Sequence, residues 1–117
     1  KKNFYIYSKM LNKDKIELVD SPEYSQSNKW MYVVRFETKK NIIKKVIKYL
    51  KEKGIETKPI WTPLINQPKF FKFEKHGIFN MKKSIFNKLC IPSSTFLKKN
   101  EIKFVADKIN LFADKEL

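Results

Sequence analysis

The chain has 117 residues, of which 42% are apolar and 15% are aromatic. That is enough material for one hydrophobic core and too little for two, so we expect a single domain over residues 1–117. Charged residues make up 32% of the chain, and no apolar run reaches the ~18 residues of a membrane-spanning helix. These features exclude a membrane span, and the short apolar start lacks a signal-peptide cleavage site, so the sequence predicts a cytoplasmic protein.

The net charge of +14 has the size found in many nucleic-acid-binding proteins. However, 25 of the 26 cations are Lys and only Arg35 is Arg, whereas base and phosphate recognition favours the planar guanidinium. Lys, Ile, Asn and Phe, all abundant here, have A/T-rich codons. The preferred interpretation is therefore a biased genome with solvated Lys side chains, and a polyanion-binding surface is the alternative.

Motifs for metals and for common enzyme chemistry are missing. A single cysteine, Cys90, and a single histidine, His76, can form neither an internal disulfide nor a Cys/His zinc site. Cys90 lies in an apolar run, which is typical of an inert buried thiol. No Walker loop, Gly-x-Ser-x-Gly elbow or His-Glu-x-x-His motif occurs. The sequence predicts no metal site and no complete catalytic machinery.

The first third of the chain predicts a helix and two strands. Residues 3–12 have apolar side chains at helical spacing, and residues 16–19 form a short β-prone run. A second strand follows, whose alternating side chains are expected to share one face: Trp30, Tyr32, Val34 and Phe36.

An amphipathic helix is predicted next, with Thr38 placed to cap it and Gly54 to end it. Its apolar stripe consists of Ile42, Ile43, Val46, Ile47 and Leu50. Lysines occupy the opposite side, which is typical of a helix half buried on a core. Beyond it, residues 55–60 are expected to be extended because Pro59 disfavours a helical Lys58.

The remaining chain predicts a Phe-rich stretch, a helix near residues 80–88, a short strand at 89–92 and a last helix at 98–113. The stripe of the last helix consists of Ile102, Val105, Ala106, Ile109 and Phe112. The element order favours an α/β fold of the α+β two-layer kind, a small sheet covered by helices. Residues 30–60 would form a right-handed strand-helix-strand crossover.

Residues 54–68 carry the best candidate site. The segment places Lys58 before a tryptophan, Trp61, that lies between two prolines, and then presents the amides of Asn66 and Gln67. An aromatic face, a cation and amides are the groups that a sugar or nucleotide phosphate site uses. The alternative is that Trp61 packs in the core and Lys58 is merely solvated.

Ordered stretches of the chain resemble one protein family. They are Leu50-Lys51-Glu52-Lys53-Gly54-Ile55-Glu56-Thr57-Lys58-Pro59-Ile60-Trp61, then Gln67, then Leu89-Cys90-Ile91-Pro92-Ser93-Ser94-Thr95-Phe96-Leu97, then Glu101-Ile102. This pattern, over about residues 16–113, resembles the C-terminal small domain of the DegT/StrS family of PLP-dependent nucleotide-sugar aminotransferases. The most similar branch is the 4-aminotransferases that make amino-sugar precursors of nonulosonic acids such as legionaminic acid.

The resemblance implies a longer parent enzyme with the fold-type I architecture of PLP-dependent transferases. In the family, a lysine of a large N-terminal domain binds PLP as a Schiff base, and none of the 25 lysines here sits in that motif. We therefore expect a C-terminal small domain without catalytic, cofactor-binding or metal-binding residues, inactive by itself. The full-length protein would be a homodimer that uses a nucleotide sugar and an amino-acid donor.

The resemblance also implies roles for the candidate site. Lys58 stands where the family usually has Arg and would contact a phosphate or carboxylate, while Trp61 matches the family's aromatic residue and would form an apolar wall. Asn66 and Gln67 match the amide pair of the nonulosonic branch and would bond sugar hydroxyls, although Ile65 stands where many relatives have His.

Two rival hypotheses remain. A stand-alone Lys-rich nucleic-acid-binding module would stack bases on Phe70, Phe71 and Phe73, but no RNA-binding aromatic motif supports it, so nucleic acid is the less favoured partner. The other rival is an inactive fragment.

Overall fold

Four strands and three helices are found in residues 1–77 and 85–117, the part of the chain that the computed structural model describes. The helices are α1 (Lys2–Met10), α2 (Ile43–Glu52) and α3 (Lys99–Glu116). The strands are β1 (Ile16–Leu18), β2 (Tyr32–Phe36), β3 (Lys58–Pro59) and β4 (Lys88–Ile91). Two short 3-10 turns, Leu64–Asn66 and Pro68–Phe70, follow β3. Each of these three helices is too short or too polar to cross a membrane.

The strands form one sheet in the order β1-β2-β4-β3, in which every neighbouring pair is antiparallel. Val34 in the middle of β2 lies opposite Leu18 on one side and Leu89 on the other. Since β2 and β3 both run antiparallel to β4, they are parallel to each other, and α2 connects them across β4. The predicted strand-helix-strand unit is therefore present, with a later strand inserted between its two strands.

The helices cover one face of the sheet, which confirms the predicted two-layer fold. α3 packs against both α1 and α2, and its predicted stripe is buried throughout. Aromatic rings join the layers: Tyr7 meets Tyr32 edge to face at 5.8 Å, and Phe36 meets Phe112 at 6.1 Å. Edge-to-face ring pairs stabilise a core beyond the area that they bury.

One predicted member of the β2 face was wrong. Tyr32, Val34 and Phe36 are buried, but Trp30 is 67% exposed because the strand begins only at Tyr32. The residue before Trp30, Lys29, has a φ of 56°, in the left-handed region. This turn interrupts the period-two alternation, so Trp30 does not continue the buried row.

The beginning of α2 is held by Asn87 and not by Thr38, so the predicted cap was wrong. The N-cap position is Ile42, and the Thr38 hydroxyl instead accepts the N–H of Lys40 at 3.2 Å, ahead of the helix. Asn87 is buried, and its side-chain N–H groups donate to the carbonyls of Thr38 (2.9 Å) and Lys40 (2.7 Å). Its Oδ1 accepts the N–H of Ile42 at 3.3 Å.

The end of α2 agrees with the prediction at Gly54. That residue has a φ of +74°, which suits glycine, and the N–H of Ile55 returns to the carbonyl of Leu50 at 2.9 Å. Val46 and Leu50 of the predicted stripe are buried. Ile42 is buried too, just before the helix, and Ile43 and Ile47 pack against the core as partly buried residues.

The last predicted elements agree in part. Of the helix expected near residues 80–88, residues 80–84 lie outside the described part of the chain, and Lys88 already belongs to β4. The strand predicted at 89–92 is β4, and the last predicted helix is α3. At the start of α3, the Glu101 carboxylate accepts the N–H of Lys98 at 2.6 Å.

Candidate functional site

A groove of about 930 Å³ lies beside the edge strand β3. Three segments and Met31 form its walls, and the segments are residues 54–62, residues 90–94 at the end of β4, and residues 97–105 at the beginning of α3. β3 is short because Pro59 has no N–H to donate, a feature tolerated at a sheet edge. The chain therefore leaves the sheet directly after Lys58 and Pro59, and this departure opens the groove.

An aromatic pair stands at the rim of this groove. Trp61, a lining residue, is 73% exposed and its ring lies 6.0 Å from that of Trp30, with 53° between the ring planes. We call these two residues the Trp pair. The alternative interpretation that Trp61 packs in the core was therefore wrong.

Sequence reasoning missed Trp30 as a site residue, because alternation alone assigned it to the buried face. In the structure its backbone is fixed from both sides. Its N–H donates to Oδ1 of Asn28 at 3.0 Å, and its carbonyl accepts the hydroxyl of Ser93 at 3.0 Å. The Asn28-Lys29 turn before the strand could have indicated that Trp30 does not belong to the buried face of β2.

The cation of the predicted site lies in the groove. Nζ of Lys58 is 3.3 Å from Oε1 of Glu56, and the two side chains are 75% and 83% exposed. An ion pair this exposed contributes little stability, because water solvates both partners well. The ammonium group can therefore leave Glu56 and bind another anion without loss of fold.

Two further polar groups line the groove. The hydroxyl of Thr57 is buried and has no hydrogen-bond partner among the described residues. Since buried polar groups are nearly always satisfied, a buried water molecule is the expected partner of this hydroxyl. The thiol of Cys90 is different, because burial raises its pKa and keeps it protonated at neutral pH.

The two predicted amides do not join Lys58 on the groove. Asn66 lines an adjoining pocket of about 490 Å³, to which Trp61 also belongs. The side-chain amide of Gln67 donates to the carbonyl of Thr62 at 3.0 Å and so closes the loop that follows Trp61. The structure thus brings Lys58 and Trp61 together, places Asn66 in the pocket next to them, and gives Gln67 a bond within the loop.

The positive charge of the protein is not concentrated in the groove. Among the described residues its lining has three charged side chains, those of Glu56, Lys58 and Glu101. The lysines of α2 are exposed on the side of that helix opposite its buried residues. The lysines of α2 are not part of the groove lining, and Lys58 is the cation that a ligand in the groove would meet.

The described lining does not fit a PLP site. A lysine that forms a Schiff base is usually desolvated so that its amine can lose a proton. Lys58 is well exposed and lies next to a carboxylate. Nor do residues 1–77 and 85–117 contain a cluster of three or more His, Cys, Asp or Glu side chains that could hold a metal ion.

Comparison with known families gives a match over residues 1–110 to the model of the DegT/DnrJ/EryC1/StrS aminotransferase family. The chain belongs to this family. The match includes α1, all four strands, α2 and most of α3, so it takes in every element that forms the groove. A comparison with curated proteins gave no significant match.

Solved structures of aminotransferases share the fold. Spr1654 from Streptococcus pneumoniae, assigned as a sugar aminotransferase and solved in its PMP form, matches with a TM-score of 0.82 and 19% identity over 99% of this chain and 30% of that one. The aminotransferase TlmJ from Streptoalloteichus hindustanus matches with 0.82 and 15% identity over 99% and 31%.

DesI, solved with its TDP-sugar product, matches with a TM-score of 0.81 and 18% identity over 96% of this chain and 30% of that one. The chain therefore spans about 30% of the length of these three proteins.

Proposed function

We propose that the chain is the C-terminal small domain of a PLP-dependent aminotransferase that acts on a nucleotide-linked keto-sugar. The observation that carries this proposal is the family match over residues 1–110, combined with structures of sugar aminotransferases that are about three times as long. The TDP-sugar product of DesI supports a nucleotide-linked substrate. The amide pair Asn66 and Gln67 favours the branch that supplies nonulosonic acids and hence surface glycans.

In this proposal the large domain of a cytoplasmic homodimer holds PLP, which supplies the chemistry that moves an amino group from a donor such as glutamate to the sugar. The described residues bind and orient the substrate. Lys58 is the cation for a phosphate or carboxylate, and Trp61 forms an apolar wall. Asn66 offers an amide to sugar hydroxyls from the adjoining pocket.

The test uses the full-length parent enzyme with Lys58→Ala, Lys58→Arg and Trp61→Ala. We expect Lys58→Ala to lower kcat/KM for the nucleotide sugar by roughly 10- to 100-fold, the loss of one charge-assisted hydrogen bond, with little effect on the amino donor. Lys58→Arg should keep the activity, because a guanidinium also binds oxyanions. Trp61→Ala should raise KM for the nucleotide sugar selectively.

Melting temperatures measured on the same variants separate binding from folding. Lys58 and Trp61 are exposed, so their replacement should leave thermal stability unchanged. Unchanged kinetics in both alanine variants would remove these residues from the site. The matched control is Lys48→Ala on the exposed side of α2, which also removes one positive charge but lies outside the groove lining.

The nucleic-acid alternative has one specific observation in its favour. Phe71 and Phe73 are exposed, and the ammonium groups of Lys75 and Lys72 lie over them at 5.8 and 5.5 Å from the ring centres. Such cation-bearing rings can stack bases. Under our proposal, oligonucleotide binding is weak and is lost as salt rises. Salt-resistant binding that falls in Phe71→Leu would favour the alternative.

A further inference from the structure

The side chain of Lys29 lies in unusually buried surroundings for a lysine. It is 11% exposed, less than any other lysine that forms an ion pair within residues 1–77 and 85–117. The ammonium group pairs with Asp20 and lies 4.2 Å from the centre of the buried Phe4 ring. A cation is attracted to an aromatic face most strongly where water is largely excluded. Lys29 therefore joins the loop between β1 and β2 to helix α1.

The burial of Lys29 comes from contacts within this domain. Packing by other parts of a parent enzyme would add to this burial, whereas it would reduce the exposure of surface rings such as Trp61. The contacts of Lys29 therefore support a conclusion that does not depend on which surfaces a longer protein covers.

The backbone of Lys29 is as unusual as its side chain. Its φ of 56° lies in the left-handed region, which glycine and asparagine adopt more easily than lysine. A strained conformation persists where the surrounding contacts hold it in place. Here those contacts are the ion pair with Asp20, the ring of Phe4, and Oγ of Ser27, which accepts the N–H of Lys29 at 3.0 Å.

This turn decides the direction of the next side chain, that of Trp30. Because the left-handed Lys29 redirects the chain, the Trp30 ring lies beside Trp61 and not on the buried face of β2. We propose that Lys29 is a positioning residue, whose buried ammonium group holds the turn before β2 and thereby places Trp30 against Trp61 at the rim of the groove. This role goes beyond the proposed function, because it concerns a contact within the domain and requires no ligand.

The 117-residue chain itself gives a direct test, because its only tryptophans are the Trp pair. Two indoles that lie 6.0 Å apart and are tilted by 53° couple their electronic transitions. This coupling gives a positive and a negative band together, an exciton couplet, in the far-ultraviolet circular dichroism spectrum. We expect the original chain to show the couplet and Trp61→Phe to lack it.

Two exchanges of Lys29 separate its side chain from its backbone. Lys29→Gly suits the left-handed φ but deletes the side chain, so it should fold and lose most of the couplet. Lys29→Arg keeps a cation for Asp20 and for the ring of Phe4, so it should retain the couplet. The helical dichroism and the melting temperature show that each variant is folded.

A further variant leaves position 29 unchanged. Asp20→Asn removes the charge that pairs with Lys29 but keeps Oδ1, which accepts the N–H of Ser21 at 2.6 Å. A largely buried ammonium group that loses its partner moves toward water, so this variant should also weaken the couplet. The matched control is Lys15→Ala, which breaks the ion pair with Asp114 at the end of α3 remote from the groove and should keep the couplet.

Three results would overturn the positioning role: no couplet in the original chain, an unchanged couplet in Lys29→Gly, or an equal loss in Lys15→Ala. If Lys29→Gly does not fold, an unchanged couplet in Asp20→Asn has the same force. In the parent enzyme, Lys29→Gly should share the selective rise in KM expected of Trp61→Ala. A lost couplet with an unchanged KM would leave the role of Lys29 standing and remove Trp61 from the substrate site of the proposed function.

Discussion

The helix-covered face of the sheet and the groove beside β3 differ in how they place their aromatic residues. On the covered face Tyr7, Tyr32 and Phe36 are buried and meet other rings edge to face. At the groove Trp30 and Trp61 keep their faces in water. The presence of an aromatic residue therefore does not tell whether it stabilises the core or belongs to the candidate site. Its position relative to the three helices does.

The largest effect is expected from truncating the covered side. Leu89 is fully buried in β4, between β2 and β3, so Leu89→Ala should lower the free energy of unfolding by about 2–5 kcal/mol. Phe104→Ala on the groove removes a larger side chain that is nearly half exposed, and should cost less than about 1.5 kcal/mol. Urea unfolding of both variants measures the difference, and equal losses would contradict the contrast drawn between the two regions.

Asn87 should come next, because it joins the two regions: it holds the start of α2 and precedes β4. Asn87→Gly keeps a residue suited to the φ of 52° but deletes the bonds to Thr38, Lys40 and Ile42. We expect a loss of about 2–3 kcal/mol. Asn87→Ala should cost about 1 kcal/mol more, because a Cβ strains the left-handed backbone. A higher melting temperature for Asn87→Ala than for Asn87→Gly would contradict the expected strain of the left-handed backbone.

The smallest effect is expected at Tyr7, whose hydroxyl is buried without a partner among the described residues. Tyr7→Phe should stabilise the domain by about 0.5–1 kcal/mol, since it removes an unsatisfied polar group from the core. A loss of stability in this variant would mean that the hydroxyl is bonded in solution.

The same tyrosine makes stability depend on alkaline pH. Burial, and to a lesser extent the nearby Tyr32, raises the pKa of Tyr7 above its ordinary value. The unfolded chain releases this proton near pH 10, whereas the folded chain still holds it, so the free energy of unfolding should fall as pH rises above about 10. Tyr7→Phe should reduce that fall, which urea titrations on either side of pH 10 can measure.

Most of the fold could be predicted because the spacing of apolar residues along the chain indicates which side of each helix or strand is buried. The stripe of α3 and the alternation from Tyr32 to Phe36 appear in the structure as buried rows. The error at the start of α2 arose because a contact came from elsewhere in the chain. Thr38 has the chemistry of a cap, but Asn87, distant in sequence, provides the bonds.

The candidate site could be predicted less completely. Lys58 and Trp61 were identified from one continuous segment and do meet in one groove. Trp30 comes from a different segment, and its meeting with Trp61 depends on the way the chain turns before β2. The pattern of residues along the chain cannot show contacts between segments. A site built from several segments can therefore be predicted only in part.

The place of β4 in the sheet has a consequence for the order of folding during synthesis. β2 and β3 leave the ribosome well before β4, yet β4 lies between them and supplies the hydrogen bonds of β3. A nascent chain that ends before Lys88 can pair only β1 with β2, and β3 has no partner. The groove wall of residues 54–62 consequently takes shape only after Ile91 has emerged, and α3 must follow to cover it.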